Sequence, residues 1–233
     1  MKFDPPLIKG TLIKRYKRFL ADVELETGEK VVAHVPNSGS MKGCAEPGWP
    51  VALTFNADPE RKLKYTLELV KSGKFWIGAN TMRPNRLAEE AITGGVIREL
   101  AGFTTIRREV KYGKNSRVDL LLEDPKKGTV YVEVKNVTMP GGDGSAAFPD
   151  AVTERGLKHL EELAAVISRG TRAAMLYWVN RGDADFVRAA HEIDTAYARG
   201  LKKAVSRGVE VYAIRAEVSL AGIRPGTQIK VEI

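Results

Sequence analysis

A single cysteine, Cys44, only three histidines and no long apolar run define this chain first by what it lacks. One thiol forms no internal disulfide, and one thiol with three scattered histidines makes no Cys/His zinc site, so any metal must be held by oxygen ligands. His159 and His191 stand at no ligand spacing to each other, and His34, alternating with Val32 in KVVAHVPN, reads as a satisfied barrel residue. No stretch reaches the roughly 18 apolar residues of a spanning helix, and MKFDPPLIKG carries prolines and charges where a secretory leader would be apolar. The expectation is a cytoplasmic chain with no membrane partner. GGDGSA lacks the Lys-Ser/Thr ending of a phosphate-binding P-loop, so it reads as part of a mobile flap, MPGGDGSAAFPD, and no organic cofactor is expected.

What is present begins with charge. Lys and Arg number 37 against 29 Asp and Glu, a formal net charge of +8 that favours a polyanionic partner. Divided at Asn80, the first part has 13 minus 9 and the second 24 minus 20, so each carries +4 and neither is a basic tail. The sharpest cluster is Lys14, Arg15, Lys17 and Arg18 with Tyr16 and Phe19 interleaved. Such a strip suits a phosphate backbone with stacked bases, and equally a strand edge guarded by charge.

Up to about Ile77 the chain is a series of short β-rich runs broken by turn residues: PLIKGTLIKR, RFLADVELETG, KVVAHVPN, VALTF, YTLELVKSG and KFWIG. That spacing predicts a small closed β-barrel, most simply an OB-like barrel over residues 1–80, with apolar positions 7, 12, 20, 23, 25, 31, 35, 51, 53 and 55 filling it. From residue 81 to 233 the pattern becomes α/β. Asn85 is placed to cap a helix through RLAEEAITGGVIREL, weakened or bent at Gly94 and Gly95 and stopped at Gly102. Strand patterns follow at TTIRREVKY, RVDLLLE and TVYVEVKNV. Helices are expected over about 151–169, with Asp150 as cap, and about 192–207, alternating with strands AAMLYWVN and VEVYAIRAEV. Trp49, Trp76 and Trp178 read as core.

VYVEVKNV poses the chemical question. Side chains alternate along a strand, so Val130, Val132 and Val134 share one face while Tyr131, Glu133 and Lys135 share the other. The turn EDPKKG joins this run to RVDLLLE as a hairpin, which brings Asp119 toward Glu133 and Lys135. Two carboxylates on adjacent strands suit a hard cation, Mg²⁺ or Mn²⁺, that keeps several waters. Lys135 beside it would orient or help deprotonate a water, and the set would serve phosphodiester hydrolysis. The order resembles the PD-(D/E)xK nuclease core: an Asp, then Glu-x-Lys on the next strand, with a Glu from the preceding helix. The resemblance assigns Asp119, Glu133 and Lys135, with Val118 where the motif's name has proline. For the helical acid it points to Glu90, with Glu89 and Glu99 as competitors, so the metal set would be Asp119, Glu133 and Glu90.

Longer segments carry a second resemblance over nearly the whole chain. PPLIKGTLIKRYKRFLADVEL, HVPNSGSMKGC, NTMRPNRLAEEAI, EVKYGKNSRVDLLL, YVEVKNVTM and FPDAVTERGLKHLEEL, in this order, resemble the sugar fermentation stimulation protein A family. The resemblance implies an N-terminal OB-like domain, a nuclease-like domain and DNA binding with little sequence preference. The family name implies regulation of sugar (maltose) utilisation genes. It makes Arg15, Tyr16, Lys17, Arg18, Asn37 and Lys42 DNA-facing candidates. Arg155, in FPDAVTERG, becomes a candidate phosphate ligand, although that helix has an ordinary buried stripe at Gly156, Leu160, Leu163 and Ile167 and a Glu154–Lys158 pair. Two functions follow: a DNA-binding protein acting through phosphate contacts, or a Mg²⁺/Mn²⁺-dependent nuclease. The sequence leaves the oligomeric state open.

Overall fold

The structure, a computed structural model, describes residues 1–113 and 116–233. Residues 114 and 115, inside EVKYGKNSRVDLLL, lie outside the described residues.

Six strands form the first sheet: β1 (Ile8–Tyr16), β2 (Leu20–Leu25), β3 (Lys30–His34), β4 (Pro50–Phe55), β5 (Tyr65–Ser72) and β6 (Phe75–Gly78). Antiparallel neighbours run β3-β2-β1-β4-β5, and a parallel pairing of β3 with β5 at Ala33↔Tyr65 closes five of them into an OB-like barrel. Leu12, Val23, Leu25, Val31, Val35, Val51 and Leu53 fill the interior. Phe55 does not: it is exposed and leans on Tyr65 outside. Leu7 packs instead against the core of the second unit, and Leu20 is half-buried.

The second unit is a nine-stranded mixed sheet. Its elements are α1 (Pro84–Thr93), β7 (Thr105–Tyr112), β8 (Ser116–Asp124), β9 (Gly128–Val137), β10 (Met139–Pro140), β11 (Ser145–Phe148), α2 (Glu154–Val166), β12 (Thr171–Val179), β13 (Phe186–Ala189), α3 (Thr195–Ser206), β14 (Glu210–Ser219) and β15 (Gly222–Glu232). Their order across the sheet is β10-β11-β13-β15-β14-β12-β9-β8-β7. The residue alternation sorts two cores. Val130, Val132, Val134, Leu176 and Trp178 face α1, while Met175, Tyr177 and Val179 face α2 and α3. Glu133 and Lys135 of β9 therefore lie on the sheet face that carries α2 and α3, with α2 seated on the neighbouring β12. The α1-side core also takes in Phe3, Ala52 and Leu69 of the N-terminal unit, so the two units share apolar packing. Among the described residues no helix is long and apolar enough to cross a membrane.

Several local expectations are corrected. Helix α1 stops at Thr93, because Gly94 ends it and Gly95 takes a positive φ of 72°; a short 3-10 turn at Arg98–Leu100 follows. Arg83 occupies its cap position and Pro84 its first turn, so Asn85 lies inside the helix and its side chain is free to point elsewhere. Thr153, not Asp150, caps α2 by accepting from Gly156 N. Lys158 pairs with Glu162 rather than Glu154, at 3.7 Å. The glycine-rich flap contains β10 and β11, and β11 is fixed in register against β13. Strand β15 was hidden by Pro225 and Gly226, which the sheet accommodates with a bulge at Arg215/Ala216. Trp178 is core, whereas Trp49 and Trp76 are half-buried.

Candidate active site

Strands β8 and β9 pair antiparallel with Leu120 opposite Val132, so one step on along each strand Asp119 stands across from Glu133. Both line a cleft of about 370 Å³ with Lys135, Asn85, Arg155 and His159. The barrel contributes a wall through Asn37, Ser38 and Gly39.

Each carboxylate is held by the backbone or a neighbour. Asp119 Oδ2 accepts from Val134 N at 2.7 Å, and Oδ1 accepts from Asn85 Nδ2 at 2.8 Å. Glu133 is 3% exposed; its Oε1 accepts from Lys135 Nζ at 2.7 Å and also contacts His159 Nδ1. Among the described residues, its Oε2 is buried without a hydrogen-bond partner. Burial raises the Asp119 carboxyl, and the Glu133 charge raises it further, to about 6, despite the lowering effects of Val134 N–H, Lys135 and Asn85. Burial also pushes Glu133 up, but the His159 hydrogen bond and the Lys135 charge and hydrogen bond outweigh it and hold that carboxyl below its ordinary value. Two carboxylates thus share a partly desolvated site, one of them resisting ionisation.

This donor set fits a divalent cation. Among the described residues no three Asp, Glu, His or Cys side chains form a complete cage. A small hard cation needs only one or two carboxylates and retained waters, and the orphaned Glu133 Oε2 is an oxygen with no other partner.

Asp119, Glu133 and Lys135 are brought together; Glu90 is not. Its carboxylate accepts from the Met1 amine at 3.1 Å and pairs with Arg86 at 3.3 Å, away from the cleft. Glu89 is ion-paired with Arg108, and Glu99 lies in the 3-10 turn. Helix α1 contributes an amide, Asn85, in place of an acid. Asn37 is buried, donating to Ala79 O and accepting from Gly39 N at 2.9 Å. Arg15 is turned inward: its guanidinium donates to the carbonyls of Arg18, Asn37, Gly39 and Ser40. Tyr16 Oη donates to Asp22 at 2.9 Å. Lys17 and Arg18, with φ of 48° and 65°, turn outward at the β1–β2 connection, and Lys42 is exposed. Arg155 is exposed beside the cleft.

The sequence missed His159, Asn85 and Asp150. Asp150 accepts from Ser40 Oγ at 2.9 Å and Met41 N at 3.1 Å, which fastens the barrel loop over the cleft. His159 could have been found from Arg155, since residues four apart on one helix face the same way.

Residues 13–79 match the SfsA N-terminal OB domain, and residues 82–222 match the sugar fermentation stimulation protein RE domain. A sugar fermentation stimulation protein homolog of Rhodospirillum centenum is 54% identical over 223 residues, covering 96% of each chain. The homolog of Geotalea uraniireducens is 56% identical over 223 residues with the same coverage. The structure of Pyrococcus furiosus SfsA in complex with Ca²⁺ aligns with a TM-score of 0.89 at 27% identity, covering 100% of this chain and 98% of that one. The chain belongs to the sugar fermentation stimulation protein family.

Proposed function

We propose that this protein binds DNA with little sequence preference and hydrolyses its phosphodiester bonds with Mg²⁺ or Mn²⁺ bound between Asp119 and Glu133. The observation that carries this reading is the buried carboxylate pair with one unpartnered oxygen, Glu133 Oε2, beside Lys135 in a cleft. An unpartnered buried carboxylate oxygen calls for an explanation, and beside a second carboxylate and a lysine in a cleft a bound cation supplies one. The related Pyrococcus furiosus protein was solved with Ca²⁺, another hard cation that takes oxygen ligands.

The bound cation would neutralise charge on the phosphoryl oxygens and acidify a water. Asp119 and Glu133 would hold it, and they are themselves fixed by Val134 N–H and Asn85 on one side and by Lys135 and His159 on the other. The Lys135 ammonium, beside Glu133, orients the attacking water or donates to a phosphoryl oxygen. Arg155 meets a neighbouring phosphate through its outer nitrogens. Lys17, Arg18 and Lys42, exposed on the barrel, continue the positive path for the strand.

A second reading, DNA binding alone with a role in regulating sugar utilisation genes, is favoured by the 2.7 Å Lys135–Glu133 pair, which occupies part of the cluster. One experiment separates the two. Purified protein is incubated with supercoiled, duplex and single-stranded DNA, with and without Mn²⁺, in parallel with Asp119→Asn and Lys135→Ala. Hydrolysis predicts metal-dependent cleavage by the wild type, reduced at least about 100-fold in both variants while DNA binding persists. Failure of the wild type to cut any form, with no cation bound, leaves the binding reading alone.

A further inference from the structure

Thr153 caps α2, and the helix then places Arg155 and His159, four residues apart, on the face turned to the cleft, where His159 reaches Glu133 of β9. His159 is buried, with 4% of its surface exposed. Its Nε2 accepts from Arg155 Nε at 3.3 Å. A ring nitrogen that accepts carries no proton, so the proton of the neutral ring lies on Nδ1. Nδ1–H then donates to Glu133 Oε1, the same oxygen that accepts from Lys135 Nζ. Lys135 Nζ stands 3.4 Å from Nδ1, and both are donors, so they do not bond to each other but converge on Oε1. One oxygen of Glu133 therefore takes two donors and the other takes none.

We infer that His159, with its tautomer locked by Arg155, is a positioning residue that commits Glu133 Oε1 to the protein and reserves Oε2 for the cation. The inference rests on the metal-binding reading above and adds the device that prepares the ligand. Without the imidazole, the carboxylate is free to rotate and offer either oxygen to Lys135, and the cation would compete with that ammonium for both. Partners of this kind, behind a metal ligand, typically change metal affinity 10–100-fold.

The test needs no turnover. In metal-free protein labelled with ¹⁵N-histidine, the His159 ring is expected to show a protonated Nδ1 and a bare Nε2; the opposite tautomer, or a ring protonated at both nitrogens, overturns the inference. Calorimetric titration with Mn²⁺ and with Ca²⁺ is then run on wild type, His159→Ala, His159→Asn and Asp119→Asn, each checked for folding by a thermal melt. His159→Ala is expected to weaken both cations by about 10–100-fold. His159→Asn, whose amide N–H can occupy the place of Nδ1–H, is expected to restore most of that loss. Equal affinity in wild type and His159→Ala, or an Asn variant no better than the Ala variant, overturns the positioning role even while Asp119→Asn still loses the cation. A wild-type protein that binds neither cation overturns the metal reading itself and this inference with it.

Discussion

Asp119 carries the least comfortable charge in the cleft. Its carboxyl titrates near 6 in the folded chain, raised by burial and then by Glu133, against an ordinary value of 3.8. Because the folded value lies above the unfolded one, the native state binds the proton more tightly. Stability is greatest where the group is protonated and falls as pH rises through about 6. Asp119→Asn removes the charge and keeps an oxygen that can accept from Val134 N. In metal-free protein the variant should be more stable than wild type at pH 8 by on the order of 1–3 kcal/mol, and the gap should shrink as pH is lowered toward 4. Denaturant unfolding at pH 5 and pH 8 measures it; a gap that does not change with pH would mean that Asp119 ionises normally. This residue and Glu133 were legible in the sequence because strand alternation and a short hairpin fix their relative position. His159 was not, because it sits on an apolar helical stripe whose neighbours Leu160 and Leu163 are core. Its contact with Glu133 depends on how the helix is seated on the sheet, and one-dimensional spacing does not contain that.

At the scale of elements, the basic strip divides in a way that its composition conceals. Arg15 lies in β1 and reaches inward to four carbonyls, three of them in the loop that walls the cleft, while Lys17 and Arg18 occupy the following left-handed turn. On the other side Asp150 holds the same loop, and the approach is so close that a Cβ on Gly39 would meet Asp150 Oδ2 at 2.8 Å. Arg15→Ala should therefore act on the loop: about 1–3 kcal/mol less stable, with faster amide exchange at residues 37–41 and an unchanged salt slope for DNA binding. Lys17→Gln and Arg18→Gln should leave stability within about 0.5 kcal/mol but each reduce that slope by about one. Binding isotherms across a salt series, beside denaturation curves, separate the two classes; a reduced slope in the Arg15 variant would assign Arg15 a phosphate contact of its own. The barrel strands themselves were readable from alternation and turn residues. The ends of α1 and the short strands β11 and β13 were not, since capping is settled by contacts and four-residue strands are defined by their partners.

At the scale of the whole molecule, equal charges of +4 in the two parts and a clean change of texture near residue 80 suggest two independent bodies, yet the packing joins them. Phe3, Ala52 and Leu69 enter the core beneath α1, and Gly78 N bonds Asn180 O at 3.0 Å. The firmest link is Glu68 on β5, 1% exposed, which accepts from Thr54 Oγ1, Asn80 Nδ2 and both the Nε and Nη2 of Arg83. Asn80 and Arg83 form the connection into α1, two residues before the Asn85 that braces Asp119. Removing the acid leaves four donor groups, on Thr54, Asn80 and Arg83, without their acceptor, and breaking a buried pair from one side is strongly destabilising. Glu68→Ala should cost on the order of 3 kcal/mol and lower the melting temperature of one transition, not split it in two, because the barrel and the α/β sheet unfold together through their common core. Differential scanning calorimetry decides: a calorimetric enthalpy that matches the van't Hoff value in both wild type and variant supports a single unit. A separate early barrel transition in the variant would show that Glu68 is the joint itself, with the apolar contacts too weak to couple the halves.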